Sequence, residues 1–210
     1  MNASIPWGQL GIVLAVALLA GLAASVLIGG FTTFAVDCRE VREDVLRLHI
    51  LANSDSDADQ ALKLKVRDRI LRETGVAFEK PTSQEEAKAA AGELLETIEA
   101  VAADEIRQNG FAYPVRAELT RMYFTTREYE QFTLPAGVYD AVRVTIGEAA
   151  GHNWWCVLYP ALCLPAADAS AALADGFDEA ETELVSRSPR YEIRFAVVEW
   201  YEAIRQYFGF

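Results

Sequence analysis

The sequence predicts an α+β fold: an N-terminal transmembrane or signal helix, then one domain in which an antiparallel or mixed β-sheet is packed by helices. Three observations carry this. Leu10 to Ile28, LGIVLAVALLAGLAASVLI, is a run without a charge. Two stretches between residues 57 and 108 repeat apolar residues every three or four positions, the period of a helix buried on one face. After Pro114 the period switches to two, as half-buried strands require.

Taken in order, the uncharged run comes first. At about 1.5 Å per residue, a helix over residues 10–28 would nearly cross the roughly 30 Å hydrocarbon layer. Residues 1–36 are therefore read as a membrane segment or signal peptide, and residues 37–210 as a single domain. Thr33 and Ala35 supply small residues at the −3 and −1 positions of a signal-peptidase site. The run is longer than most signal cores and lacks a basic flank before it, which favours a retained or slowly cleaved anchor. Val36 and Asp37 do not suit lipid attachment at Cys38.

From Val45 to Ala52, alternation reads as a strand buried on at least one face. Asn53, Ser54, Asp55, Ser56 and Asp57 then offer side-chain oxygens to the free N–H groups of a helix start. That helix runs to about Thr74, with Leu62, Val66 and Ile70 on one stripe and Gly75 at its stop. A second helix extends from Thr82 or Ser83 to Gln108, opened by Ser83, Gln84, Glu85 and Glu86. Its stripe is Ala87, Ala91, Leu94 or Leu95, Ile98 and Ala102. Three strands follow over 115–124, 138–147 and 153–159, the last two joined as a hairpin around Gly151. Residues 166–186 are Ala-rich and acidic, a loosely held helix or a surface excursion. From Tyr191 the pattern reads as a short strand running into a helix, whose stripe is Ile193, Val197, Trp200 or Tyr201, Ile204 and Phe208.

A net charge of −12 and a pI near 4.6 argue against nucleic acid as a partner, because phosphate recognition draws on a positive field. Basic residues gather in 39–72, whereas 73–110 is acidic. Solvated helix faces account for both; a basic helix facing an acidic partner or lipid headgroups is the alternative.

Several constellations invite chemistry. His152, Asn153 and Cys156 are the residue types of a cysteine hydrolase, but a nucleophile and its base must meet at about 2.6–3.2 Å. In a strand His152 and Cys156 stand two repeats apart. A calcium loop beginning at Asp55 would want Gly at position 60 and Glu at 66, and finds Gln60 and Val66. No cofactor or metal set emerges. Cys156 and Cys163 flank Pro160 and are read either as a disulfide closing a small loop or as two buried thiols. Trp154 and Trp155 point to opposite faces of their strand, so one is expected in the core, and the other is a partner anchor if exposed.

Two blocks of the chain carry a resemblance. LRLHILANSDSDADQALKLKVRDRIL, from Leu46 to Leu71, and LPAGVYDAVRVTIGEAAGHNWWCVLYPALC, from Leu134 to Cys163, resemble the stage II sporulation protein R family of endospore-forming bacteria. Ala149 stands near an expected glycine, and Ala161 where a second proline often follows Pro160. The resemblance implies a non-enzymatic signal, made in the forespore and exported into the space between forespore and mother-cell membranes. There it would activate a membrane-embedded aspartic protease, stage II sporulation protein GA, which matures the precursor of a mother-cell sigma factor. No family motif assigns the contact residues. Polar clustering at the strand-to-helix junction nominates Asn53, Asp55, Gln60, Lys63 and Arg67, joined by Trp154 and Trp155.

Orientation sets charge counting against the resemblance. No Lys or Arg precedes the apolar run and Arg39, Arg42 and Arg47 follow it, so counting alone keeps the domain in the cytoplasm. Asp37, Glu40, Glu43 and Asp44 make that flank mixed, and export is the reading adopted. The competing functions are a wall hydrolase using Cys156 and a membrane-anchored structural protein.

Overall fold

The computed structural model describes residues 7–129, 132–162, 173, 176–186 and 192–208. Its elements, in chain order, are α1 (Trp7–Glu43), β1 (Leu46–Leu51), α2 (Asp57–Thr74), a 3-10 turn (Gly75–Phe78), α3 (Gln84–Gln108), β2 (Val115–Phe124), β3 (Arg127–Glu128), β4 (Thr133–Leu134), β5 (Gly137–Ile146), β6 (Asn153–Tyr159), α4 (Glu179–Val185) and α5 (Glu192–Phe208). Four strands form one sheet in the order β2-β5-β1-β6, while β3 and β4 make a separate ribbon.

The expected hairpin between the last two strands does not form. β1 lies between β5 and β6, parallel to the first and antiparallel to the second. The physical reason is burial. All six residues of β1 are buried, so this strand takes an interior place, and β5 and β6 are left to flank it.

Each face of the sheet has its own core. Leu46, Leu48 and Ile50 join Ala117, Val142 and Val144 beneath Leu62, Val66 and Ile70 of α2 and Ala91, Ile98 and Ala102 of α3. The predicted stripes of both helices are thus the buried ones. Ser56 caps α2 by accepting from the Asp59 N–H, and Ser83 caps α3 by accepting from the Glu86 N–H. Glu86 reaches back to the Thr82 N–H at 2.8 Å, one residue earlier than the capping-box pattern. Gly75 does not end α2 in a left-handed turn; its φ of −56° continues right-handed into the 3-10 turn. The basic and acidic helices meet each other, since Arg69 of α2 pairs with Asp104 and Glu105 of α3 at 3.5 and 3.7 Å.

On the opposite face Phe34, Cys38 and Val41 of α1 pack with Phe124, Tyr139, Val157, Leu184, Val185, Phe195 and Val198. α4 is therefore a packed element rather than a surface excursion; most of 163–175 lies outside the described residues. α5 is helical from Glu192, which removes the short strand expected there. Its buried side is Phe195, Val198 and Glu202, so the predicted stripe through Val197, Trp200, Tyr201 and Phe208 faces outward.

α1 runs unbroken across the expected boundary between residues 36 and 37, and the Phe34 ring packs, tilted, 5.4 Å from that of Phe195. Its apolar side chains from Ile12 to Val26 are exposed. Among the described residues no helix is long and apolar enough to cross a membrane.

Candidate functional site

The turn from β1 into α2 lies beneath the link from β5 to β6, and that crossing builds the site. Ala150 and Gly151 donate backbone N–H groups to the Asn53 and Ala52 carbonyls at 3.1 and 3.0 Å. The link approaches so closely that a Cβ on Gly151 would run into the Ser54 carbonyl, and one on Gly147, at φ +58°, into the Asn53 side chain. Ala149 sits between them at φ +52°, a left-handed conformation costly for a residue with a Cβ. The glycine expected near this position thus has a conformational reason.

Of the seven nominated residues, three hold the crossing together from inside. Asn53 donates to Asp59 Oδ2 at 2.8 Å and accepts from the Glu148 N–H at 3.0 Å. Gln60 Nε2 donates to the Ser54 carbonyl at 2.9 Å. Lys63 is 4% exposed, and its Nζ donates to Gln60 Oε1 at 2.6 Å and to the His152 carbonyl at 2.7 Å. Burial lowers the affinity of this ammonium for its proton, an effect that nearby Asp55 opposes. The Ser54 and Asn53 bonds hold the buried Asp59 carboxyl below the usual range.

The other nominated residues are less enclosed, Asp55 exposed and Arg67, Trp154 and Trp155 half-buried. Asp55 is exposed and accepts from both the backbone N–H and the ring of His152, which keeps its carboxylate below the ordinary range. Arg67 lies 4.2 Å over the Trp154 ring, and its guanidinium pairs with Asp68 at 2.6 Å. Trp154 and Trp155 are both half-buried, on opposite faces of β6. Trp155 belongs to a second environment, stacked on His49 at 4.2 Å with Arg127 above it at 5.0 Å. The structure therefore brings Asn53, Asp55, Gln60, Lys63, Arg67 and Trp154 together and leaves Trp155 across the sheet. His152, itself exposed, completes this set, a residue that sequence reading considered only as a catalytic base.

Behind Trp155 the sheet buries basic side chains, one charged and one neutral. Arg47 is fully buried over the Phe124 and Tyr139 rings, at 4.1 and 5.0 Å, and donates to the Tyr129 hydroxyl at 2.6 Å. Burial draws His49 down to about 4, so it is neutral at physiological pH. Its exposure of 2% makes it a core residue.

The hydrolase constellation does not assemble. The His152 ring is engaged by Asp55, and Cys156 is disulfide-bonded and so offers no thiolate. Cys163 lies outside the described residues. Cys38 is a free, buried thiol pushed up to about 12 by burial, closed to pairing between chains. Among the described residues no three His, Cys, Asp or Glu side chains converge as metal ligands.

The chain thus forms an α+β domain whose first strand-to-helix turn is clamped under a remote link, with aromatic and charged side chains around that crossing. Stage II sporulation protein R is the family that matches, over residues 42–169, and the chain belongs to it. It is 38% identical over 123 residues to stage II sporulation protein R of Bacillus subtilis (strain 168), an alignment covering 59% of this chain and 55% of that relative. The chain thus spans about half the length of the curated relative it matches. No solved structure matches it.

Proposed function

We propose that this chain is an exported sporulation signal that activates a membrane-embedded aspartic protease, stage II sporulation protein GA, so that the protease processes the precursor of a mother-cell sigma factor. It acts from the space between forespore and mother-cell membranes, attached to the forespore membrane through residues 10–28. Family membership supports the sporulation role. The observation that supports contact rather than catalysis is the junction itself, where exposed Asp55 and His152 and half-buried Arg67 and Trp154 sit on a scaffold fixed by Lys63 and Asn53. The uncharged run supports the attachment, and exposed Leu18 and Val26 give it an apolar surface to bury in lipid.

The test is co-production of the chain, targeted outside the membrane, with the protease and its precursor in a non-sporulating host, scoring precursor shortening on a gel. Shortening is expected with the native chain and with Cys156→Ser, and is expected to fail in Asp55→Ala combined with Trp154→Ala. A folded, exported native chain that leaves the precursor intact would sink the activator reading. Shortening without the protease would point to a hydrolase instead.

A further inference from the structure

A second cavity lies away from the junction, of about 360 Å³, lined by Glu40 and Asp44 of α1, Thr82 and Ser83 at the start of α3, Tyr159 of β6, and Gly176, Phe177, Asp178 and Glu181 around α4. Four carboxylates meet here. Asp37 adds a fifth nearby, raised by burial and then by the charge of Asp178. Among the described residues none of the five is in an ion pair with a lysine or arginine.

Glu181 is the informative member. It is 4% exposed, and its Oε2 accepts the Asp178 N–H at 2.9 Å. Its Oε1 is buried with no N–H or hydroxyl donor, and the side chain hydrogen-bonds to the Asp44 carboxyl, which takes a proton shared between the two. A carboxylate oxygen in that position, beside the Asp44 carboxyl, holds a proton or faces a cation. Burial, followed by the charge of Asp44, pushes Glu181 up to about 7. Two cations are conceivable, and the geometry separates them. The carboxylates do not converge as metal ligands, and the cavity is far larger than a bare ion fills. Spread acceptors with three hydroxyls among them, those of Thr82, Ser83 and Tyr159, suit a group that donates several hydrogen bonds in different directions.

We propose that this cavity binds an organic cation, an ammonium or guanidinium group such as the lysine or arginine side chain of a protein partner, received by Glu181 and Asp44. The incoming cation displaces the proton held at Glu181. Binding therefore weakens as pH falls below neutrality. The groups facing Glu181 are Asp37, Glu40 and Asp44 from α1, Tyr159 from β6 and Asp178 at the cap of its own helix, with no described basic residue to offset them. This surface is separate from the junction, so the proposal stands or falls independently of the activator reading.

Thermal unfolding of the full chain in detergent micelles tests it, with butylammonium, butylguanidinium, spermidine and calcium chloride compared with potassium chloride at equal ionic strength and pH 8. The two butyl cations are expected to raise the midpoint, with an apparent affinity at least tenfold weaker at pH 6 and at least tenfold weaker in Glu181→Gln. Asp44→Asn serves as a second variant, and circular dichroism establishes that both are folded. A larger effect of spermidine with the same dependence on Glu181 keeps the chemistry and names a free polyamine as its source. Stabilisation by calcium alone, or butyl-cation effects unchanged in both variants, would overturn the proposal.

Discussion

Replacing Lys63 by Met separates the scaffold of the junction from the side chains on its outside. The native ammonium is 4% exposed and makes two short bonds, to Gln60 Oε1 at 2.6 Å and the His152 carbonyl at 2.7 Å. Hydrogen bonds to a charged group contribute about 1.5–3 kcal/mol each. Against their loss stands the relief of a buried charge, since desolvation already lowers the affinity of this amine for its proton. Methionine keeps the apolar stem but leaves the His152 carbonyl without its donor, so the net cost is about 2–4 kcal/mol. For a chain of this size that is a fall in midpoint of roughly 5–15 °C. Urea unfolding gives the free energy, and hydrogen exchange at the Ala150 and Gly151 amides gives the location, because both donate across the crossing that Lys63 secures. A variant as stable as the native chain, with those two amides equally protected, would refute the view that the buried ammonium holds the β5–β6 link. Asp55→Ala is the comparison: it removes an exposed acceptor of the His152 N–H, and is expected to cost less stability than Lys63→Met while impairing activation.

Four further expectations follow from single observations. Ala149→Gly relieves a left-handed residue at φ +52°; the strain of about 1–2 kcal/mol outweighs the added backbone entropy of about 0.4–1 kcal/mol, so the variant is expected to gain about 0.5–1 kcal/mol in urea melts. His49, neutral to about pH 4 when folded and near 6.5 when unfolded, binds its proton only in the unfolded chain between those values. Stability therefore falls as pH drops through that window, by about 3 kcal/mol at most, and His49→Gln is expected to flatten the acid limb. Glu181 has the opposite slope, holding a proton in the folded chain that the unfolded chain has released between 4.5 and about 7, so Glu181→Gln is expected to steepen that limb. Alkylation of the native chain followed by non-reducing peptide mapping should find Cys156 bridged and Cys38 unmodified until denaturant is added.

Local pattern was a good guide where a residue's fate depended on its neighbours in sequence. The stripes Leu62-Val66-Ile70 and Ala87-Ala91-Ile98 lie in the core, and Ser56 and Ser83 cap the helices that follow them. It failed where the deciding partner was remote. Arg47 and His49 have the composition of a solvent face, yet Phe124, Tyr139 and Trp155, brought in by three other strands, bury them. The hairpin reading failed for the same reason, because proximity in sequence between β5 and β6 was outweighed by the burial that β1 gains between them. α5 shows a subtler case: two sides of the helix carry apolar residues, and only the docking of Phe195 against Phe34 decides which is inside.

The same logic explains why the junction was partly legible and the acidic cavity was not. Asn53, Asp55, Gln60 and Lys63 lie within eleven positions, so clustering alone nominated them, although it could not distinguish the clamp from the side chains outside it. His152 is 97 positions from Asp55 and entered only through the crossing. Asp37, Glu40 and Asp44 read as the acidic half of a mixed flank after the apolar run. Their meaning changes when α4 packs against α1 and turns Asp178 and Glu181 toward them. Like charges brought together by folding cost free energy, and an apolar interface could have joined these helices without that cost. The carboxylates thus weaken the α1–α4 contact unless a proton or a cation occupies the space between them. The proposed cation site lies on the helix that also carries the apolar run, so its occupancy is expected to tighten the packing of α4 against α1.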